Sequence, residues 1–229
     1  YSIGKYMIID SSSRRNLELV ETLREKQKRG SLLWVLDKTR TAMGARLLRT
    51  YVEQPLIEKA EIIKRQKLIE ALNANEITRD EIREYLNPIY DLERLITRIT
   101  YQSANPRDLI AFRDSLKMLP PIKQQLSDIP CELTDEINEE FDELKDIYEL
   151  LLSSIEDEPP ISQRDGDIIK AGYNEEVDRL RDAKTKGKTW LAELEAGERE
   201  KTGIKNLRIK YNKVFGYYLE VSNSFKDMV

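Results

Sequence analysis

The chain has 229 residues, of which 40% are hydrophobic and 35% charged, and its 42 acidic residues outnumber its 38 basic ones. The hydrophobic share is large enough for a core, and the many nearly balanced charges favour long solvated helices over a compact sandwich. The net charge of −4 argues against a protein that covers nucleic acid with its whole surface, although a local basic patch is compatible with it.

Two residue types restrict the possible chemistry. Histidine is absent, which removes the commonest general base and the commonest metal ligand. Cys131 is the single cysteine, so neither an internal disulfide nor a zinc cluster can form, and this count suits a reducing compartment. Paired acids abound, but nothing marks a dry pocket around them, which argues against a hydrolase. The chain starts at Tyr1 rather than at methionine, so we expect it to be a piece of a longer protein.

The N-terminal quarter contains a sequence of predicted short elements. The apolar run Tyr6–Asp10 favours a short strand, and the polar residues Asp10 to Ser13 offer N-caps for a helix over Arg14–Arg24. No apolar run of the chain approaches the ~20 residues of a transmembrane helix, and we expect no membrane partner.

The next helices are predicted more clearly. Thr41 precedes a helix over Ala42–Val52, whose apolar residues share one face, and Pro55 stops it. A further amphipathic helix is expected over Ile57–Asn73. Each of these predictions depends on the 3.6-residue period of the apolar positions.

Asn105-Pro106-Arg107-Asp108 is typical of a helix start. Asn105 caps the helix, Pro106 takes the first helical position, and Asp108 lies in the first turn at the positive end of the helix dipole. Pro120-Pro121 ends or kinks this helix.

The segment Cys131–Glu158 is strongly acidic, with Lys145 as its one basic residue. Its apolar residues still form a stripe along one face. This pattern favours an amphipathic helix with a solvated acidic face over an acidic recognition site.

A long helix is predicted from its cap at Asn174 to Thr202-Gly203. Its apolar seam is thin, because a lysine and a glycine interrupt it, and a core does not surround such a helix. The pattern therefore predicts an exposed stalk that packs against one partner helix through the seam residues Val177, Leu180, Leu191 and Leu194.

The triplet Gly187-Lys188-Thr189 inside this stalk is similar to the end of a phosphate-binding loop. Such a loop needs a glycine five residues before its last glycine, and the chain has Asp182 there. It also needs a preceding strand, whereas this triplet falls in a helix. We therefore expect no nucleotide-binding loop at this position.

A β-hairpin is predicted after the stalk, with alternating apolar residues in Leu207–Tyr211 and in Phe215–Val221. If the apolar sets share one face, Tyr211 must pair with a residue of odd number. This requires a loop with an odd number of residues, most simply Asn212-Lys213-Val214, with Asn212 or Lys213 in the left-handed region.

The hairpin segment is basic in an otherwise acidic chain. No acid lies between Lys201 and Lys213, and the cations in this range are Lys201, Lys205, Arg208, Lys210 and Lys213. A basic tip at the end of a long helix is the arrangement expected of an element that contacts the phosphates of a nucleic acid. From the spacing alone, a solvated face of a small hairpin remains an open alternative.

At these residues the chain resembles the MutS family of DNA mismatch-repair proteins. The run EREKTGIKNLRIKYNKVFGYYLEV (198–221) is similar to the start of the family's clamp. Other motifs follow in the family's order, so that the resemblance covers nearly the whole chain. These motifs are LDKTRTAMGARLLRTYVEQPL (36–56), DLERL (91–95), NPRDL (105–109) and GYNEEVDRLRD (172–182).

The resemblance implies a mainly α fold, in which a helical lever bears a long-helix stalk ending in a small antiparallel β element. Residues 1–171 would be the first part of the core or lever domain, and residues 172–229 a truncated clamp domain. The mismatch reader, the rest of the clamp and lever, and the ATPase domain are expected outside this chain. A relative of the same family that acts in recombination rather than in repair would share these domains, and the resemblance leaves this alternative open.

The resemblance also implies a function. The lever connects the mismatch reader to the ATPase, and the clamp holds the DNA backbone without base specificity. We expect no catalytic and no metal-binding residue. The predicted backbone-binding residues are Lys205, Arg208, Lys210 and Lys213, with Asn212 and with Phe215 through its main chain.

The implied partners are double-stranded DNA, a second MutS subunit and a MutL-type protein. No cofactor is expected in this chain, because ATP and Mg²⁺ belong to the ATPase domain. The expected location is the bacterial cytoplasm, in association with the nucleoid. A helical interaction scaffold without DNA binding is the second alternative, but it leaves the basic hairpin unexplained.

Overall fold

The computed structural model describes residues 4–222 and 224–225. It is mainly α-helical, with a two-stranded antiparallel sheet near the C-terminus, which confirms the predicted fold class. Packing divides the chain into two compact units, Tyr1–Ile168 and Ile169–Val229, which we call the helical unit and the hairpin unit. In the described residues, no helix is both long enough and apolar enough to cross a membrane.

The helical unit consists of short and medium helices, joined from Leu32 onward by connections of five residues or fewer. A 3₁₀ turn at Gln163–Asp165 follows the last of them. The α-helices are α1 (Ser11–Asn16), α2 (Leu32–Leu36), α3 (Ala42–Glu53), α4 (Lys59–Ala74), α5 (Glu76–Leu86), α6 (Leu92–Thr100), α7 (Pro106–Leu116), α8 (Leu119–Ser127), α9 (Glu132–Glu140) and α10 (Lys145–Ser154).

The beginning of the chain differs from the prediction. Instead of a strand over Tyr6–Asp10, the structure has an isolated bridge between Tyr6 and Leu56. Asp10 caps α1 as expected, since its side chain accepts from the main chain of Ser13. The helix ends well before Arg24, because Glu18 adopts a left-handed φ of 48°, which no right-handed helix can accommodate.

The predicted helix starts at Thr41 and Asn105 are confirmed. The Thr41 hydroxyl accepts from the main-chain N–H of Gly44 at 3.0 Å. Asn105 and Asp108 form a reciprocal capping box, with distances of 3.0 and 2.8 Å, and proline follows the cap. Each arrangement satisfies main-chain donors that the first helical turn leaves without partners.

The acidic segment is not one continuous amphipathic helix. It breaks between α9 and α10, where Leu144 takes a left-handed φ of 50°. The Asp142 carboxylate accepts from the Leu144 N–H at 2.9 Å, and the Lys123 amine donates to the Phe141 carbonyl at 2.7 Å. These bonds supply partners to the main chain at the break, which offsets the lost helical hydrogen bonds.

The core of the helical unit lies around α7, which packs against α6 and α10, while α8 packs against α5 and α9. Ser115 is fully buried, and its hydroxyl donates to the Ala111 carbonyl at 2.7 Å and accepts from the Tyr90 N–H at 3.0 Å. The buried hydrophobic residues of this unit are Leu19, Leu33, Ile89, Leu95, Phe112, Leu116, Ile122, Ile129, Leu151 and Ile155.

The connection after α2 gives the helical unit an acid-sensitive contact. Asp37 accepts from the Lys28 amine and from the hydroxyl and N–H of Thr39, and these bonds lower the pKa of its carboxyl from 3.8 to about 2. The folded state thus favours the charged carboxylate. Its contribution is complete above the unfolded pKa and is lost as the pH falls through the folded pKa of about 2.

We expect Asp37→Asn to destabilise the helical unit at neutral pH, and we expect this difference to shrink as the pH falls from 3.8 towards about 2. Urea unfolding of both proteins across this window measures the effect. Glu70→Gln, at an exposed position of α4, is the matched control and should show no such convergence. A constant difference at all pH values would contradict the ionic origin of the contribution.

The hairpin unit consists of a long helix, α11 (Glu175–Thr202), and two strands, β1 (Arg208–Asn212) and β2 (Gly216–Glu220). The Asn174 side chain accepts from two main-chain N–H groups at the start of α11, and Gly203 ends the helix with a left-handed φ of 72°. Both predicted ends are confirmed. None of the described residues of α11 is buried, as the thin apolar seam predicts.

Candidate nucleic-acid interface

The register of the hairpin separates an apolar face from a polar face. Tyr211 pairs with Tyr217, and Ile209 pairs with Leu219, so that the four side chains share one face. The two tyrosine rings lie 5.1 Å apart, centroid to centroid. The prediction that Tyr211 faces a residue of odd number is confirmed.

The turn has the predicted odd length but lies one residue later than expected. The loop is Lys213-Val214-Phe215, and the left-handed residue is Gly216, with a φ of 76°. A left-handed Asn212 or Lys213 is therefore wrong. Glycine takes this conformation because it has no Cβ to clash with the main chain. The Asn212 side-chain oxygen accepts from the Val214 N–H at 2.8 Å and helps to shape the loop.

A small buried cluster and a charged bridge connect the hairpin to the end of α11. Ile204 is 0% exposed and Leu207 is 3% exposed. The Arg199 guanidinium donates to the Leu207 carbonyl at 2.7 Å and to the Glu195 carboxylate at 2.5 Å. Glu195 also accepts from the Ile209 N–H at 2.8 Å, so that α11 fixes the first residues of β1.

The cations of the hairpin segment differ in how they are partnered. The Lys201 amine lies 2.8 Å from Glu198, and the Lys210 amine lies 2.8 Å from Glu220. Each carboxylate raises the pKa of its lysine through a hydrogen bond. In residues 4–222 and 224–225, no carboxylate forms an ion pair with the other three cations, which are exposed: Lys205, Arg208 and Lys213.

The six predicted contact residues are spread along the hairpin from its base to its tip. Asn212, Lys213 and Phe215 lie at the tip, where Phe215 is 82% exposed. Lys205 lies near the buried cluster at the base of the hairpin, and the five-residue strand β1, about 17 Å long, separates it from the tip. Between them the remaining two, Arg208 and Lys210, share the polar face of β1.

Sequence reasoning missed two features of this site. Glu220 neutralises Lys210 from a diagonal position, and a prediction of this contact needs the exact strand register. An open apolar groove of about 550 Å³ also lies between α11 and the hairpin. The exposed Trp190 lines this groove, and its position beside Leu191 and Leu194 was the available signal.

Comparison with known proteins yields one family. The family model MutS domain III matches residues 12–224. DNA mismatch repair protein MutS of Lachnoclostridium phytofermentans is 66% identical over 229 residues, the whole chain, and MutS of Ruminiclostridium cellulolyticum is 52% identical over the same 229. MutS of Caldanaerobacter subterraneus subsp. tengcongensis is 55% identical over 224 residues, 98% of the chain.

The chain covers only 25 or 26% of the length of these relatives, so it corresponds to about a quarter of each protein. The match nevertheless extends through both the helical unit and the hairpin unit. The resemblance inferred from the sequence motifs is thereby confirmed. The chain belongs to the MutS domain III family of DNA mismatch-repair proteins.

Proposed function

We propose that the helical unit is part of a lever and that the hairpin unit is part of a clamp that binds the DNA backbone without reading bases. One observation supports this proposal above all. An acidic chain presents three exposed cations without a carboxylate partner in its described residues on one small hairpin, namely Lys205, Arg208 and Lys213. Unneutralised lysine and arginine side chains bind phosphate by releasing counterions from DNA.

The hairpin tip adds main-chain and amide donors to these charges. The Asn212 side-chain oxygen already accepts from Val214, which leaves its amide NH₂ group as a donor. The exposed loop carries the main-chain N–H of Phe215, and such groups are common partners of phosphate oxygens. Contacts of this kind position a protein on the duplex and carry no sequence information.

Lys210 is the weakest of the proposed contact residues. Its amine is already bound to Glu220, and a phosphate must compete with that carboxylate. Lys213 has no such competitor in the described residues, although both lysines belong to the same hairpin. The pair therefore provides a matched test, with one free cation and one neutralised cation.

We expect Lys213→Gln to lower the slope of log affinity against log salt by about 0.9, the value for one phosphate contact on duplex DNA. Lys210→Gln should lower it by less. The measurement is fluorescence anisotropy of a labelled matched duplex, over a series of salt concentrations, with a full-length MutS protein that contains this chain. If both variants had the same salt slope as the parent protein, the hairpin would be only a solvated surface, and a helical interaction scaffold without DNA binding would be favoured.

The remaining parts of the proposal follow from the relatives. All three are named as DNA mismatch repair proteins, which favours repair over recombination. We propose that this chain catalyses no reaction, and that ATP and Mg²⁺ act in another part of the longer protein. Gly187-Lys188-Thr189, the nearest approach to a phosphate-binding loop, lies inside α11.

A second MutS subunit and a MutL-type protein are the proposed protein partners, and double-stranded DNA is the proposed ligand. The reported relatives are bacterial, which supports a bacterial cytoplasmic location with access to the nucleoid. As part of the lever, the helical unit would transmit conformational change between a mismatch reader and an ATPase.

A further inference from the structure

The middle of α11 is a second basic region, separate from the hairpin. Residues 183–192 contain three lysines and no acidic residue. Residues 182–190 are all exposed. Lys186 lies 3.6 Å from Asp182, so one of the three charges has a partner. The other two, Lys184 and Lys188, have no ion pair within the described part of the chain.

Lys184 and Lys188 are four residues apart and therefore lie on the same face of α11. Neither has a carboxylate three or four residues away on the helix. The corresponding neighbours are Leu180, Arg181, Gly187, Thr185, Leu191 and Ala192. Two like charges at this spacing repel each other and weaken a helix, so this face is unfavourable unless an anion binds to it.

Most carboxylates on the flanking turns are already engaged, and the exposed Glu193, five residues after Lys188, lies on another face of α11. Asp178 accepts from Arg181 and from the Gly172 N–H. At the other end, Glu195 binds Arg199, and Glu198 binds Lys201. The positive charge of this face is thus left without local compensation.

The stretch of this face between Leu180 and Leu191 is a poor surface for a packed helix. The apolar seam of α11 stops at Leu180 and resumes at Leu191, a gap of about 16 Å along the axis. Within the gap, Gly187 contributes no side chain, and a Cβ built there meets no atom within 4 Å. A helix that packed over this stretch would bury the lysine amines and would gain apolar contact only from Leu180 and Leu191 at its two ends, whereas a solvated anion would leave the amines hydrated.

We propose that Lys184 and Lys188 form a second contact site for the phosphates of duplex DNA, on the stalk rather than at the hairpin. The site lies about 21 Å along α11 from its end at Thr202, so that one backbone can be held at two separated places. This inference rests on the proposed DNA-binding function and deepens it. The contacts would be independent of base sequence, because only phosphates are bound.

The test uses a full-length MutS protein that contains this chain and a labelled matched duplex. The double variant Lys184→Gln, Lys188→Gln should lower the salt slope of binding by about 1.8, twice the value of one contact. Lys186→Gln, on the opposite face of α11 and beside Asp182, is the matched control and should leave the slope unchanged. Glutamine preserves helix propensity, and circular dichroism of α-helix content verifies that each variant is folded.

An unchanged slope in the double variant would overturn the inference. If the double variant also unfolded at lower temperature, the two lysines would instead pair with acids of another segment. If Lys213→Gln lowers the salt slope as expected and the double variant does not, the stalk site is refuted and the proposed function of the hairpin stands. If the double variant lowers the salt slope and Lys213→Gln does not, the stalk site is supported and the hairpin is refuted as a phosphate-contacting element.

Discussion

Replacing Ile204 with alanine should unfold the hairpin while the helical unit keeps its structure. Ile204 is 0% exposed, and with Leu207 it makes up the buried set of the hairpin unit in the described residues. Removal of a buried isoleucine side chain costs about 2–5 kcal/mol, from lost transfer free energy and the remaining cavity. A two-stranded hairpin is at best marginally stable by itself, so a loss of this size is enough to melt it.

Amide hydrogen exchange measures this effect residue by residue. The main-chain hydrogen bonds between β1 and β2 should lose their protection in Ile204→Ala, and the amides of α7 should keep theirs. Val214→Ala is the matched control, because Val214 is 81% exposed and its truncation should change stability by less than about 0.5 kcal/mol. Retained protection of the hairpin in Ile204→Ala would show that the strands and the Glu195 bridge suffice without the buried cluster.

Local signals account for most of the correct fold predictions. Asn105 and Asn174 were predicted as N-caps, and Thr41 as the residue before a helix, because a helix start depends on residues within three positions of the cap. The break at Leu144 gave no local signal, since leucine rarely adopts a left-handed conformation. Its main-chain partners include Lys123, which is distant in sequence, and no pattern of neighbouring residues predicts that contact.

The hairpin likewise has one feature that the sequence predicted and one that it did not. The apolar residues of both strands have odd numbers, which was sufficient to predict that Tyr211 pairs with an odd-numbered residue, because one face must be apolar throughout. Parity does not distinguish a loop that begins at Asn212 from one that begins at Lys213. Gly216 is the residue that decides this, because it alone in the loop region tolerates a left-handed φ without strain.

The candidate contact residues were predicted from charge, and the structure changes their expected ranking. In sequence, Lys210 and Lys213 are equivalent basic residues without an acid between them. The register places Glu220 within 2.8 Å of the Lys210 amine, and this distinguishes the two lysines. Charge in a sequence thus indicates that a basic region exists, whereas pairing determines how much of that charge is available.

Simultaneous reversal of the three unpaired hairpin charges should produce the largest loss of DNA affinity. The variant carries Lys205→Glu, Arg208→Glu and Lys213→Glu. Each lost phosphate contact lowers the salt slope by about 0.9, which equals about eightfold in affinity between roughly 1 M and roughly 0.1 M salt. Three contacts together correspond to a loss on the order of 500-fold at about 0.1 M salt, and the new carboxylates repel phosphates in addition.

The control must change net charge equally without touching the hairpin. Lys38→Glu, Lys59→Glu and Lys67→Glu meet this condition, because these lysines are exposed in the helical unit and have no ion pair in the described residues. This control should retain most of its affinity, because under the proposal none of these three lysines contacts a phosphate and each replacement leaves the hairpin contacts in place. Equal losses in both triple variants would mean that overall charge, and not a hairpin site, governs binding.

Comparison of matched and mismatched duplexes completes this prediction. Phosphates are the same in both, so the hairpin variant should lose affinity for both by the same factor. The ratio of the two affinities should therefore stay at the value of the parent protein, while both salt slopes fall by about 2.7. If the ratio changed and the slopes did not, these side chains would contact base edges, and the assignment of the hairpin as a backbone-binding clamp would be wrong.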